Sequence, residues 1–88
     1  MEVGMKHYIA TFHTHLSAMM TAKNLEKEGI KPSFEPVPRK LSSSCGTCIR
    51  FTAGDAYIHL MDRDCEAVYE VVELKNNKED YVKVADIS

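Results

Sequence analysis

The sequence predicts an α+β fold of the ferredoxin-like kind, a split βαβ sandwich whose antiparallel sheet carries two helices on one face. Three observations lead to this prediction. Short segments show the residue alternation of strands, two longer segments have the composition and spacing of helices, and they follow in the order strand, helix, strand, strand, helix, strand. At 88 residues and 44% hydrophobic content, the chain is expected to form a single domain over residues 1–88.

The first strand is predicted over residues 7–13, which are rich in aromatic and β-branched side chains. Thr14 is a suitable N-cap for a helix over residues 15–28, and Gly29 supplies the left-handed residue that ends it. The apolar stripe expected to face the core consists of Leu16, Met19, Met20 and Leu25.

The second strand is predicted within residues 33–38 and at an edge of the sheet. Pro36 and Pro38 lie two residues apart, so their missing N–H groups fall on the same side of a strand, and that side cannot be paired. Residues 48–52 alternate and predict the third strand, with Ile49 and Phe51 facing one way.

The second half is predicted to contain one more helix and the closing strand. Residues 57–61 predict a possible extra strand in a hairpin. A second helix is expected to begin at Asp62 or Asp64 and to run to about residue 75. Its buried side would carry Val68, Val71, Val72 and an inert Cys65. Residues 81–85 alternate and predict the last strand.

Composition excludes several classes of partner. The chain has 11 basic and 13 acidic residues, so no overall charge attracts nucleic acid or an anionic membrane. The first residues lack the apolar core of a signal peptide, and no apolar stretch is long enough to cross a bilayer. Three cysteines, an odd number, are typical of a reducing compartment. A cytoplasmic protein is therefore expected.

The chemistry is predicted in the loop before the third strand, where Cys45 and Cys48 are two residues apart behind Arg39 and three serines. This spacing suits a dithiol or a metal site. In the predicted topology the end of the first strand and the start of the helix reach the same edge. The residues expected to gather there are Cys45, Cys48, His13, His15, Arg39 and the serines.

Zinc binding or a protein-interaction module is the alternative for this loop. A zinc site needs four ligands, and Cys45, Cys48, His13 and His15 are the available set. The two histidines would point to opposite faces of a strand, and no second C-x-x-C is present. A small interaction unit with an inert loop is the third interpretation.

Three stretches carry a resemblance to a known family: residues 8–12, residues 18–29, and most specifically Pro36-Val37-Pro38-Arg39 followed by residues 42–46. They resemble small bacterial domains of the selenium/sulfur carrier-like family, over residues 7 to 52. A similar domain forms the C-terminal part of sulfurtransferase-like proteins of selenium metabolism. The family's shared cysteine corresponds to Cys45, whereas Cys48 stands where the family more often has an aliphatic residue.

The resemblance implies a carrier or accessory protein rather than a stand-alone enzyme. Cys45 would hold a persulfide or selenosulfide, received from a donor protein and passed to an acceptor protein. Arg39 would stabilise the thiolate, and Ser44, Gly46 and His13 would contact the anionic cargo. Resolution of the persulfide by Cys48, as a disulfide, would be particular to this chain. This function needs no organic cofactor, and a homodimer is compatible with it.

Overall fold

A computed structural model describes residues 4–41, 43 and 45–87. Within them lie one α-helix and five β-strands: β1 (Lys6–Phe12), α1 (His15–Lys27), β2 (Ser33–Pro36), β3 (Thr47–Ala53), β4 (Cys65–Glu73) and β5 (Glu79–Asp86). Two short 3₁₀ turns cover Ile58–Leu60 and Lys75–Asn77. No helix in this part of the chain is long and apolar enough to span a bilayer.

The five strands form one sheet in the order β2-β3-β1-β4-β5, and every neighbouring pair is antiparallel. The predicted α+β class is therefore confirmed, as are the edge position of β2 and the pairing of β1 with β3. The register places Thr11 opposite Cys48, so the end of β1 lies beside the start of β3. This pairing brings the loop before β3 to the end of the sheet where α1 begins.

The prediction of a second helix is wrong, because residues 65–73 form β4 and pair with both β1 and β5. Valines at positions 68, 71 and 72 fit one side of a helix, but they also fit an irregular strand. The pairing of β4 shifts register between Thr11 and Phe12 on β1 and again between Val68 and Tyr69. The residues skipped by the strand pairing at these shifts are Glu66 on β4 and Val84 on β5, so alternation along β4 continues from Val68 onward. Val68 packs in the core on the α1 side and Val71 in the core on the second face, so the strand has buried valines on both faces and shows no apolar–polar alternation.

The predicted strand over residues 57–61 is also wrong, since this segment contains the 3₁₀ turn and Tyr57 has a positive φ of 54°. Asp62 caps no helix. Its carboxylate accepts hydrogen bonds from the Ser17 hydroxyl at 2.7 Å and from the amide of Asp64 at 3.2 Å. Asp62 therefore anchors the segment between β3 and β4 to the first turns of α1.

The helix forms where it was predicted, but it packs through a different side. The Thr14 hydroxyl accepts from the amide of Ser17 at 3.1 Å, and Gly29 with φ 82° follows the helix end. The buried residues are Ser17, Ala18, Thr21, Ala22 and Leu25. Leu16, Met19 and Met20 are exposed, so their expected place in the core is wrong. Small side chains let the helix axis approach the sheet closely, which turns the larger ones outward.

Both sheet faces carry buried apolar residues. On the face covered by α1, the core contains Tyr8, Ala10, Phe12, Ile49 and Phe51. On the second face, Ile9, Cys48 and Val71 pack beneath Val37, Leu41 and Tyr81. The residues that follow β2 thus fold back over the second face.

Candidate functional site

The loop that joins β2 to β3 is fixed at both of its ends and at its middle. The amide of Val37 donates to the carbonyl of Gly46 at 3.1 Å, which closes the base of the loop. The Ser43 hydroxyl donates to the carbonyl of Phe12 at 2.7 Å. Lys40 donates to the carbonyl of Glu79 at 3.1 Å. The loop is therefore held against the end of β1 on one side and against β5 on the other.

Cys45 lies near the end of this loop and is partly exposed. Its thiol donates to the carbonyl of Thr47 at 3.3 Å, and its side chain packs against the core on the α1 side. The next residue, Gly46, has φ 74°, a conformation that favours glycine, although a Cβ there would meet no atom within 4 Å. Glycine is thus required for the backbone turn rather than for space.

Cys48 belongs to β3 and is fully buried on the second face of the sheet. Its sulfur is 3.7 Å from the carbonyl of Pro36. Burial raises the pKa of this thiol to about 11, and the nearby carboxylate of Glu35 adds to the rise. At neutral pH Cys48 is therefore a protonated core residue. Cys45 and Cys48 pack against cores on opposite faces of the sheet, although Cys45 is near enough to add a little to the raised pKa of Cys48.

Cys65 is fully buried at the start of β4, as the sequence predicted, although on a strand rather than a helix. Burial raises the pKa of its thiol to about 12. Cys45 is consequently the cysteine that solvent reaches in the folded protein.

The two candidate histidines have separate surroundings. His13 follows β1, its amide donates to the carbonyl of Asp64 at 3.0 Å, and its ring Nδ1 lies 3.1 Å from a carboxylate oxygen of Glu66. His15 is the exposed first residue of α1. Sequence reasoning missed Glu66, because it pairs with His13 only through the contact between β1 and β4.

Arg39 is exposed, and it forms no ion pair with the residues described by the structure. It thus keeps its charge available to solvent on the same loop as Cys45. Ser44, expected at the site, and Ser42 lie outside the described residues. Among the residues that are described, no group of three or more His, Cys, Asp or Glu side chains is arranged to hold a metal ion.

An ion-pair network that the sequence did not reveal covers the second face beside Cys48. Arg50 reaches Glu35 on β2 at 3.1 Å and Glu79 on β5 at 3.1 Å. The Tyr81 hydroxyl donates to the same Glu79 carboxylate at 3.3 Å. These contacts join the two edge strands across the sheet and help to keep Cys48 out of solvent. The sequence signal that could have indicated this network is Arg50 itself, a charged residue between the apolar Ile49 and Phe51 of a predicted strand.

Comparison with known proteins identifies a family for this chain. No curated protein and no solved structure matches the chain significantly. The model of the family described as "Putative Se/S carrier protein-like" matches residues 7–61. This range covers more than half of the chain and includes β1, α1, β2, the loop with Cys45, and β3. The chain therefore belongs to the Se/S carrier protein-like family.

Proposed function

We propose that this protein is a small carrier of sulfur or selenium that holds its cargo on Cys45 as a persulfide or selenosulfide. The observation that carries the proposal is the contrast among the three cysteines. Cys45 is partly exposed on a loop, whereas Cys48 and Cys65 are buried with pKa values raised to about 11 and about 12. Only a thiolate attacks a persulfide efficiently, so the two buried thiols are poor candidates.

The loading step is a displacement at sulfur. The Cys45 thiolate attacks the terminal sulfur of a donor protein's persulfide, a new S–S bond forms on Cys45, and the donor cysteine leaves as a thiolate. In the unloading step an acceptor nucleophile attacks the same terminal atom, and the Cys45 thiolate leaves. Neither step needs an external oxidant or reductant. The same exchange with selenium as the terminal atom gives the selenosulfide.

Neighbouring groups support this chemistry at Cys45. Arg39 is an exposed cation on the same loop and would attract the anionic terminal atom. The left-handed Gly46 allows the sharp turn that presents the thiol at the end of the sheet. His13 would contact the cargo from the end of β1, and Ser44 from the loop itself. We expect the protein to work in the cytoplasm, because its cysteines are free.

Cys48 is not proposed as a resolving thiol. It lies fully buried on β3, on the sheet face opposite to the core that Cys45 contacts. A disulfide between the two would require the Cys48 sulfur to leave its buried place beside the carbonyl of Pro36. The carrier therefore works with one thiol, and no observation favours the zinc alternative.

The test is sulfur loading from a cysteine desulfurase supplied with free cysteine, read by peptide mass spectrometry under non-reducing conditions. We expect a mass increase of one sulfur atom on the Cys45 peptide, lost in Cys45→Ser and retained in Cys48→Ala. Thermal unfolding of each variant checks that it is folded. Loading that persists in Cys45→Ser, or that spreads equally over all three cysteines, would contradict the proposal.

A further inference from the structure

The solvent side of α1 carries a cluster of apolar side chains in its first turns. Leu16, Met19 and Met20 are 65%, 51% and 47% exposed, respectively. Their spacing of three and four residues makes them neighbours on one side of the helix. This side is opposite to the one that packs on the sheet through Ala18, Leu25 and their neighbours. Three large apolar side chains thus face water without serving the fold, as is typical of interaction surfaces.

The same side of the helix continues as a basic surface. Lys23 and Lys27 follow the cluster at helical spacing, and both are exposed. Neither lysine forms an ion pair with any residue in the described part of the chain. Glu26 lies on the flank of this surface rather than between the two lysines. A partner with carboxylates beside apolar side chains would match this surface, whereas a basic partner would be repelled.

The distribution of charge along the chain supports this complementarity. Residues 15–50 contain six basic and three acidic side chains, whereas residues 51–88 contain four basic and nine acidic ones. Lys40 pairs with Asp80, and Arg50 with Glu35 and Glu79, so these charges are balanced within the molecule. The charged residues of the first range outside these pairs are Lys23, Lys27, Lys31 and Arg39 against Glu26 and Glu28, which still leaves α1 and the Cys45 loop with an excess of positive charge. An acidic partner is attracted to the part that carries Cys45.

The apolar cluster and Cys45 belong to the same end of the molecule. The loop is anchored by the bond from Ser43 to Phe12, and Leu16 follows Phe12 by only four residues. The anchored loop and the first turn of α1 thus both adjoin the end of β1. A protein that brings its own cysteine into contact with Cys45 can rest on the solvent side of α1 at the same time.

We propose that the solvent side of α1, formed by Leu16, Met19, Met20, Lys23 and Lys27, is the docking surface for the protein that exchanges sulfur with Cys45. That partner presents apolar side chains flanked by carboxylates close to its own reactive cysteine. The inference rests on the proposed function and adds the chemical character of the partner. Methionine side chains suit this role, because they adapt to differently shaped apolar surfaces.

Model peptides test the surface without requiring the natural partner. Each peptide carries one cysteine as a thiopyridyl disulfide, flanked by leucines and either glutamates or lysines. The Cys45 thiolate attacks the peptide sulfur, forms the mixed disulfide and releases thiopyridone, which is followed by absorbance. The small reagent dithiodipyridine reports the intrinsic reactivity of Cys45. The measured quantity is the rate with each peptide divided by the rate with the small reagent.

For the wild-type protein we expect the leucine–glutamate peptide to react about three- to tenfold faster, relative to the small reagent, than the leucine–lysine peptide. Met19→Gln with Met20→Gln should remove most of the advantage, and Lys23→Glu with Lys27→Glu should reverse the preference between the peptides. The matched control is Val82→Gln with Val84→Gln, which changes two exposed apolar residues on β5 and should leave the ratio unchanged.

The docking surface would be overturned if the wild type and both α1 variants gave the same peptide rates relative to the small reagent. It would also be overturned if the β5 control lost the preference for the leucine–glutamate peptide as fully as the methionine variant. Sedimentation of the wild type provides a second test. A dimer that dissociates when Met19 and Met20 are changed would show that a second copy covers α1, and this result also overturns the proposal. The proposed function is judged separately, because failure of Cys45 to take sulfur from the desulfurase leaves the peptide ratios unaffected.

Discussion

The buried thiols of Cys48 and Cys65 should make the protein progressively less stable at alkaline pH. In the folded protein burial raises their pKa values from 9.0 to about 11 and about 12, respectively. In the unfolded chain both thiols return to the ordinary value and lose their protons first. The stabilisation is therefore complete below about pH 9 and is lost as the pH rises toward the two folded values.

The size of the effect follows from the difference in ionisation between the two states. At pH 10 the thiol of an unfolded Cys48 is about 90% ionised, whereas the folded thiol is only about 10% ionised. Between pH 7 and pH 10 this difference lowers the free energy of unfolding by roughly 1–2 kcal/mol. Cys65 contributes nearly the same amount at pH 10, because ionisation of the unfolded state limits both. Together the two thiols account for roughly 3 kcal/mol, a large part of a small domain's stability.

Urea denaturation of Cys48→Ala and Cys65→Ala at both pH values, in the presence of a reductant, isolates these contributions. Other groups lose stabilisation in the same direction, because burial also raises the pKa values of Tyr8 and Tyr81. They are common to all variants and cancel in the difference from the wild type. The penalty of each cysteine substitution should therefore shrink by roughly 1–2 kcal/mol between pH 7 and pH 10.

Val68→Ala is the matched control, because it removes buried methyl groups from the core that contains Cys65 without removing a titrating group. Its penalty of roughly 1–3 kcal/mol should be the same at both pH values. A constant penalty for Cys48→Ala and Cys65→Ala would refute the argument. That result would mean that solvent reaches the two thiols in the folded state, and Cys45 would no longer be distinguished from them.

Two further results are expected from the loop and from the second face of the sheet. Gly46→Ala should lower the free energy of unfolding by about 1–2 kcal/mol, because its φ of 74° disfavours any Cβ, and Gly46→Asn should cost less. Hydrogen bonds from Arg50 hold the pKa of Glu79 below its ordinary 4.5. The stabilisation that ionised Glu79 gives the folded protein is therefore present at neutral pH and is lost as the pH falls below about 4.5. Arg50→Gln should accordingly make urea stability less sensitive to acid, and an unchanged acid dependence would contradict the pairing.

The first half of the fold was predictable because each element carries a local signal that agrees with its neighbours. Thr14 caps α1 through its own hydroxyl, and Gly29 follows its end with a positive φ. The prolines exclude β2 from the interior of the sheet. These effects act within a few residues, so the sequence alone discloses them.

The second half failed because its structure depends on pairing between distant segments. β4 is held by β1, more than fifty residues earlier in the chain, and both of its ladders contain a register shift. Because β4 has buried valines on both faces, the valine spacing fits a helix as well as it fits the strand. The contact side of α1 was mistaken for a related reason. Helix periodicity separates the side with Leu16, Met19 and Met20 from the side with Ala18 and Ala22, but it does not say which side packs on the sheet. The structure buries the side with the small residues.

The separation of the two loop cysteines decides which chemistry the C-x-x-C spacing can support. In a helix this spacing brings two sulfurs to one side, but here the second cysteine already belongs to β3. Alternation along β3 places Ile49 against α1 and Cys48 against the opposite core, beneath Val37 and Leu41. Sulfur transfer by displacement needs a single reachable thiol, whereas a dithiol cycle or a zinc site needs both sulfurs at one point. This difference in placement is the reason for proposing a carrier that works through Cys45 alone, with Cys48 as a packing residue.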